Sequence, residues 1–134
     1  MKVILLMLVA LSFVFVTACG TIYGPVKESQ ALMEARDDMV TQWSKIIKAS
    51  PDDAGIAEAR KYFESKKADL IAKRDAVKNA PQGFNSDWRT NLFTHEMRTG
   101  KELDAISNQI AVGPSYASAE KFKPLRKEFE DAYR

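Results

Sequence analysis

Two residues in this chain have chemistry that no other residue in it shares. Cys19 is its only thiol and His95 its only imidazole. A lone cysteine excludes an intramolecular disulfide and any CxxC metal or redox motif. A lone histidine excludes a His-cluster metal site, and a Ser-His-Asp triad would have to use His95. The stretch Thr94-His95-Glu96-Met97-Arg98-Thr99-Gly100 offers only Met97 as a large apolar side chain. Counting in threes and fours from Leu92 to Leu103 lands on His95 or Glu96 and then on Thr99. An apolar helical stripe is therefore interrupted there for about two turns. A polar gap of this kind is a place for a pocket, with His95 and Met97 as candidate ligand-binding residues. His95 with the sulfur of Met33 or Met39 on a neighbouring helix would suit haem, and the gap would also take a small apolar ligand. Covalent haem attachment is excluded because there is no CxxCH. The plainer reading is a hydrogen-bonded boundary histidine, with Gly100 letting a helix or loop approach closely. No metal and no cofactor is expected on that reading.

The remaining charged groups point away from catalysis. Asp37-Asp38 and Asp52-Asp53 are adjacent in sequence, and adjacent helical residues do not share a face. Asp52 and Asp53 fit the first turn of a helix, where the dipole favours acids. Arg60, Lys67 and Arg74 fall seven apart, joined by Lys66, Lys73 and Lys78. Such a stripe could meet anionic lipid phosphates or wall polymers. Glu58, Glu64, Asp69 and Asp75 interleave with it, so a solvated, salt-bridged face is expected instead. The cluster Lys121, Lys123, Arg126 and Lys127 is followed by Glu128, Glu130 and Asp131 and reads the same way. There is no Gly-rich phosphate loop, no nucleophile elbow and no glycosidase-like carboxylate pair. The formal net charge is +2, too small for the basic field of a nucleic-acid protein. A non-catalytic protein with no nucleic-acid partner is expected.

The N-terminus says where the chain goes. Lys2 is the only charge before Lys27, and Val3 to Ala18 reads VILLMLVALSFVFVTA. That is shorter than the roughly twenty apolar residues of a spanning helix. A positive start, a short apolar stretch and small residues at its end describe an export signal. Val16-Thr17-Ala18-Cys19 resembles the lipobox of bacterial lipoproteins. The resemblance covers residues 1–20 and implies lipid on the Cys19 thiol, cleavage before it and acylation of the new amino group. Two or more chains anchor a protein durably, where one holds it marginally. Gly20 stands where an Asp would retain a Gram-negative lipoprotein at the inner membrane. The resemblance therefore implies the outer membrane, facing the periplasm, or the outer face of the plasma membrane in a Gram-positive host. Cleavage after Ala18 by the ordinary signal peptidase is one alternative, since Val16 and Ala18 also fit a small-x-small rule, and an uncleaved short anchor is a second. Asp131-Ala132-Tyr133-Arg134 loosely resembles the tail of the helical murein lipoprotein family, which joins peptidoglycan through a terminal Lys. Arg134 cannot replace that amine, so contact with peptidoglycan would be non-covalent.

Three segments follow: residues 1–18 as signal, 19–24 as a lipidated tether and 25–134 as the folded domain. Val26, Met33, Val40 and Ile47 fall seven apart, flanked by Leu32, Met39 and Ile46, with Trp43 between. This spacing predicts a helix over 25–49. Ser50 as cap, Pro51 as first helical residue and the heptads Ile56, Phe63, Leu70 and Val77 predict a second over 51–79. Trp88, Leu92, Leu103, Ile106 and Ile110 predict a third over 86–111, capped by Asn85 or Ser86 and ended by Gly113-Pro114. A last helix over 115–133 carries Tyr116, Ala119, Phe122, Leu125, Phe129 and Tyr133. Pro124 is expected to kink it or to mark a fresh start near Phe122. No β-branched alternation suggests strands. The fold class is all-α: an up-down antiparallel bundle of three to four helices. The function expected is a lipid-anchored envelope protein with a binding or scaffolding role. Its partners would be the membrane, through Cys19, and another envelope protein or peptidoglycan. The alternative is a periplasmic ligand-binding bundle with haem or a small apolar ligand near His95.

Overall fold

The computed structural model describes residues 23–112 and 116–134. Among them stand four helices, α1 (Val26–Ala49), α2 (Asp53–Asn79), α3 (Asp87–Val112) and α4 (Tyr116–Tyr133), and no strand. Cys19 and the Gly113-Pro114 stop lie outside the described residues. No described helix is long and apolar enough to cross a membrane.

The helix starts differ in detail from the sequence expectation. Ser50 is not the cap of α2 and Pro51 is not its first residue. Asp52 is the cap, its carboxylate accepting from the amides of Ala54 and Gly55. A carboxylate satisfies two orphan amides at once and suits the positive helix end. Ser50 instead donates its hydroxyl to Asp52 at 2.7 Å. At α3, the Asn85 side chain accepts from the Asp87 amide, and the Ser86 carbonyl takes the amides of Arg89 and Thr90. Pro124 neither ends nor restarts α4, which runs through it as one helix.

Helix directions alternate, as the short joins require, but the order around the axis does not follow the chain. α1 packs on α2 and α3, and α4 packs on α2 and α3. Chain residues 50–52 suffice only to reach a neighbour, so α1 and α2 form an antiparallel hairpin. Residues 80–86 cross the diagonal of the bundle, about 14 Å for helices 8–10 Å apart, which seven residues span easily. As a result α1 runs parallel to its neighbour α3, and α2 parallel to α4. Asp53 at the start of α2 meets Ser118 and Lys121 at the start of α4, and Arg60 meets Glu128 further along.

The core gathers around Trp43. Its ring meets Phe63 of α2 and Phe122 and Phe129 of α4 edge-on, with centroids 5.2–6.2 Å away. Edge-to-face contacts set the positive rim of one ring on the negative face of another. The indole N–H donates to the Ala59 carbonyl at 2.9 Å, so no polar atom is stranded. Leu32, Met39, Ile47, Leu70, Leu103, Ile110 and Leu125 complete the centre. The first heptad of α1 is out of place. Val26 is 49% exposed and Met33 is only half-buried, while Ser29 and Arg36 are buried in their stead.

Candidate functional site

The polar gap read around His95 exists, and a residue from another helix fills it. Leu32, Arg36, Met39 and Trp43 follow one another at spacings of four, three and four, so Arg36 lies on the buried face of α1. The parallel packing of α1 and α3 sets Arg36 opposite Thr99. Arg36 Nε donates to Thr99 Oγ1 at 2.5 Å. Thr99 Oγ1 in turn bonds the carbonyls of His95 and Glu96. The Arg36 guanidinium carbon lies 4.3 Å from the ring centroid of Tyr133 and 5.2 Å from that of Phe129. A planar cation over two π faces gains attraction that partly replaces lost water. Burial nevertheless pulls the guanidinium below its ordinary range, against the pull of Tyr133 and Glu96. Arg36 Nη1 and the Tyr133 hydroxyl are both buried without a hydrogen-bond partner. Burial pushes the Tyr133 phenol up to about 12.

A second layer lies just outside this one, still between α1 and α3. His95 Nε2 stands 3.0 Å from Asp37 Oδ2, and Arg98 Nη2 stands 2.8 Å from Asp37 Oδ1. The two groups approach closely, although neither buried ring nitrogen of His95 meets full hydrogen-bond geometry. Burial pushes the Asp37 carboxyl up, but His95 and Arg98 outweigh it and hold the group below its ordinary value. Arg134 closes the end of α4 onto α3 with a 2.7 Å pair to Glu96.

His95 and Met97 do not converge. Two residues apart on a helix, they lie about 160° apart around its axis. The His95 side chain is only 10% exposed and faces α1, whereas Met97 is 54% exposed. Met39 is in the core and Met33 lines a separate groove with Trp88 and Asn91. Gly100 does not serve a close approach, because a β-carbon there would meet nothing within 4 Å. Asp37, Arg36 and Tyr133 are the members of the cluster that the sequence reading missed. The four-three-four spacing through Arg36 was the available signal. Among the described residues no three His, Cys, Asp or Glu side chains gather as a metal site requires.

The basic stripe of α2 is salt-bridged and in large part exposed, as expected, and one edge of it reaches α4. Arg60 and Lys67 both reach Glu128 of α4, and Arg74 donates toward the carbonyls of Asp131 and Ala132. Arg60, Lys67 and Arg74 thus form a partly exposed polar edge of the α2–α4 contact. Asp69 and Lys73 do pair on the surface, at 2.5 Å.

A groove opens where α4 stops. α4 has 18 residues against 27 in α2 and 26 in α3. The groove is a cavity of about 410 Å³ lined by Leu32, Val77, Trp88 and Leu92, with Tyr133 at its end. Neither a scan against protein-family models nor searches of curated proteins and of solved structures found a match.

Proposed function

We propose that this chain is a lipid-anchored protein of the bacterial cell envelope that acts by binding or scaffolding rather than by catalysis. The observation that carries the reading is Val16-Thr17-Ala18-Cys19 behind an uncharged apolar stretch with Lys2 at its head. The fold is compatible with an anchor at that point. The first packed residues described are Gly24 and Pro25, five and six positions after Cys19, and helix α1 begins at Val26. Lipid on Cys19 would therefore leave the packing of the bundle undisturbed. The partners proposed are the membrane and, without a covalent bond, another envelope protein or peptidoglycan. In a Gram-negative host the domain would face the periplasm from the outer membrane. Mass spectrometry of the N-terminal peptide tests the anchor: the mature chain is expected to start at Cys19, to carry lipid and to fractionate with membranes. Cys19→Ser removes the thiol that accepts the lipid and is expected to abolish the mass increment. An unmodified Cys19 on protein free in the soluble periplasm would overturn the reading.

One observation favours a second reading, a bundle that binds a small apolar molecule. The groove beside the short α4 has an apolar floor with Trp88 in it. Trp88 emission during titration with a series of aliphatic alcohols tests this, and an unchanged spectrum across the series would remove it.

A further inference from the structure

We propose that the pole of the bundle where the chain enters is a membrane-docking surface, with Phe84, Tyr23 and Val26 seated in the interfacial layer of the bilayer. The inference rests on the lipid anchor proposed above. It adds a second contact, made by the folded domain itself.

Six large apolar side chains are exposed among the described residues, and three of them, Phe84, Tyr23 and Val26, lie at this one pole. Phe84 is 89% exposed. Its neighbour Gln82 donates to the carbonyls of Val77 and Ala80, and the Gln82 carbonyl accepts from the Trp88 indole at 3.2 Å. The chain then turns through Gly83 at φ +64°. The crossover between α2 and α3 is thus tied on its inner side, and Phe84 projects from it.

The N-terminal segment enters at the same place. Gly24 has φ +69°, and a β-carbon on it would lie 2.5 Å from the Gln82 carbonyl and 2.6 Å from the Trp88 indole nitrogen. The entry point is therefore wedged against the crossover. Four residues lie between Cys19 and Gly24, so across those five Cα–Cα steps the lipid attachment lies within roughly 18 Å of the pole at full extension. At such a short tether the local concentration of bilayer is high, and a weak apolar contact suffices to keep the pole seated. Aromatic and apolar side chains are suited to this interfacial layer.

Charge distribution selects an apolar contact over an electrostatic one. Lys27, Lys78 and Arg89 at this pole are nearly balanced by Glu28 and Asp87. The opposite pole exposes Lys48, Asp52, Asp53, Glu120 and Lys121, with Val112 its only exposed large apolar side chain among the described residues. Docking is therefore expected on uncharged phosphatidylcholine and is expected to resist added salt.

The test uses the full lipidated chain in phosphatidylcholine vesicles whose acyl chains carry bromine, a contact quencher of indole emission. Phe84→Trp and Val112→Trp place a reporter at either pole of otherwise identical proteins, both at exposed positions. The added emission of Phe84→Trp is expected to be quenched at least about twofold more than that of Val112→Trp, equally at low and high salt. Equal quenching at the two poles overturns the inference. A blue-shifted but unquenched Phe84→Trp also overturns it, because the pole is then covered by protein. The mass of the same sample separates the two readings. A chain without lipid on Cys19 overturns the anchor and this inference with it, while a lipidated chain with equal quenching overturns this inference alone.

Discussion

Arg36 is the residue at which the molecule departs furthest from a simple apolar seam. Its guanidinium is enclosed by Tyr133 and Phe129 and hydrogen-bonded through Nε, yet Nη1 has no partner. A buried charge with an unmatched donor retains much of its desolvation penalty. Arg36→Met keeps the stem in place and removes that penalty, so its stability is expected within about 1 kcal/mol of the parent or above it. Arg36→Ala leaves a cavity instead and is expected to lose about 2–5 kcal/mol. Urea midpoints of the two variants decide the matter; equal losses would mean that Arg36 contributes through its charge rather than its volume. Gly100 presents the opposite case, a helix-interior glycine with open space around it. Gly100→Ala is expected to stabilise by about 0.5–1 kcal/mol through helix propensity alone. A lower melting temperature for Gly100→Ala would show that the space is occupied in solution.

At the scale of the helix, α2 separates its two seams cleanly. Its apolar face carries Ile56, Ala59, Phe63, Leu70 and Val77 into the core, and Arg60, Lys67 and Arg74 run beside it toward α4. Leu70 is 1% exposed at the centre of that face. Leu70→Ala is expected to cost about 2–5 kcal/mol, against the 5–15 kcal/mol that a domain of this size holds in total. A melting temperature unchanged by this substitution would mean that α2 is not packed as described. The Arg60 and Lys67 contacts with Glu128 are partly exposed, and pairs of that kind contribute little each. Their partners are consistent with the parallel register of α2 and α4 that the apolar face sets.

For the whole molecule, three carboxylates give the bundle a defined acid limit. Asp52 is held below its ordinary value of 3.8 by the Ser50 hydroxyl and the Gly55 and Ala54 amides, and Asp53 by Lys121 and Ser118. Asp37 is held down by His95 and Arg98 against its own burial. Groups depressed in the folded state stabilise it fully above the unfolded value and lose that contribution as the pH falls through the lower folded values. Stability is therefore expected to be insensitive to these groups above about pH 5 and to fall below about pH 4. Asp37→Asn is expected to make the acid-side fall shallower. Urea midpoints of parent and variant between pH 2.5 and 7 check this, and an identical acid slope would place the effect elsewhere.

Much of this architecture is local, and what is local was legible in the chain. Hydrophobic spacing of three and four placed four helices to within about two residues, because a buried stripe on a 3.6-residue repeat leaves few other solutions. The polar interruption near His95 and Thr99 was legible for the same reason. The run from Lys2 to Cys19 is the source of the anchor proposal, since export signals are read as linear patterns. The occupant of the gap was not legible, because Arg36 and Thr99 lie 63 residues apart and meet only when α1 and α3 run side by side. Tyr133 lies over Arg36 because α4 packs beside Glu96 of α3 at this point, again a contact between segments far apart in the chain. The neighbour order itself is a tertiary decision. An 80–86 link long enough to reach either an adjacent or a diagonal helix leaves both arrangements open to the chain, and the diagonal one is the arrangement that brings Phe122 and Phe129 of α4 onto the Trp43 ring.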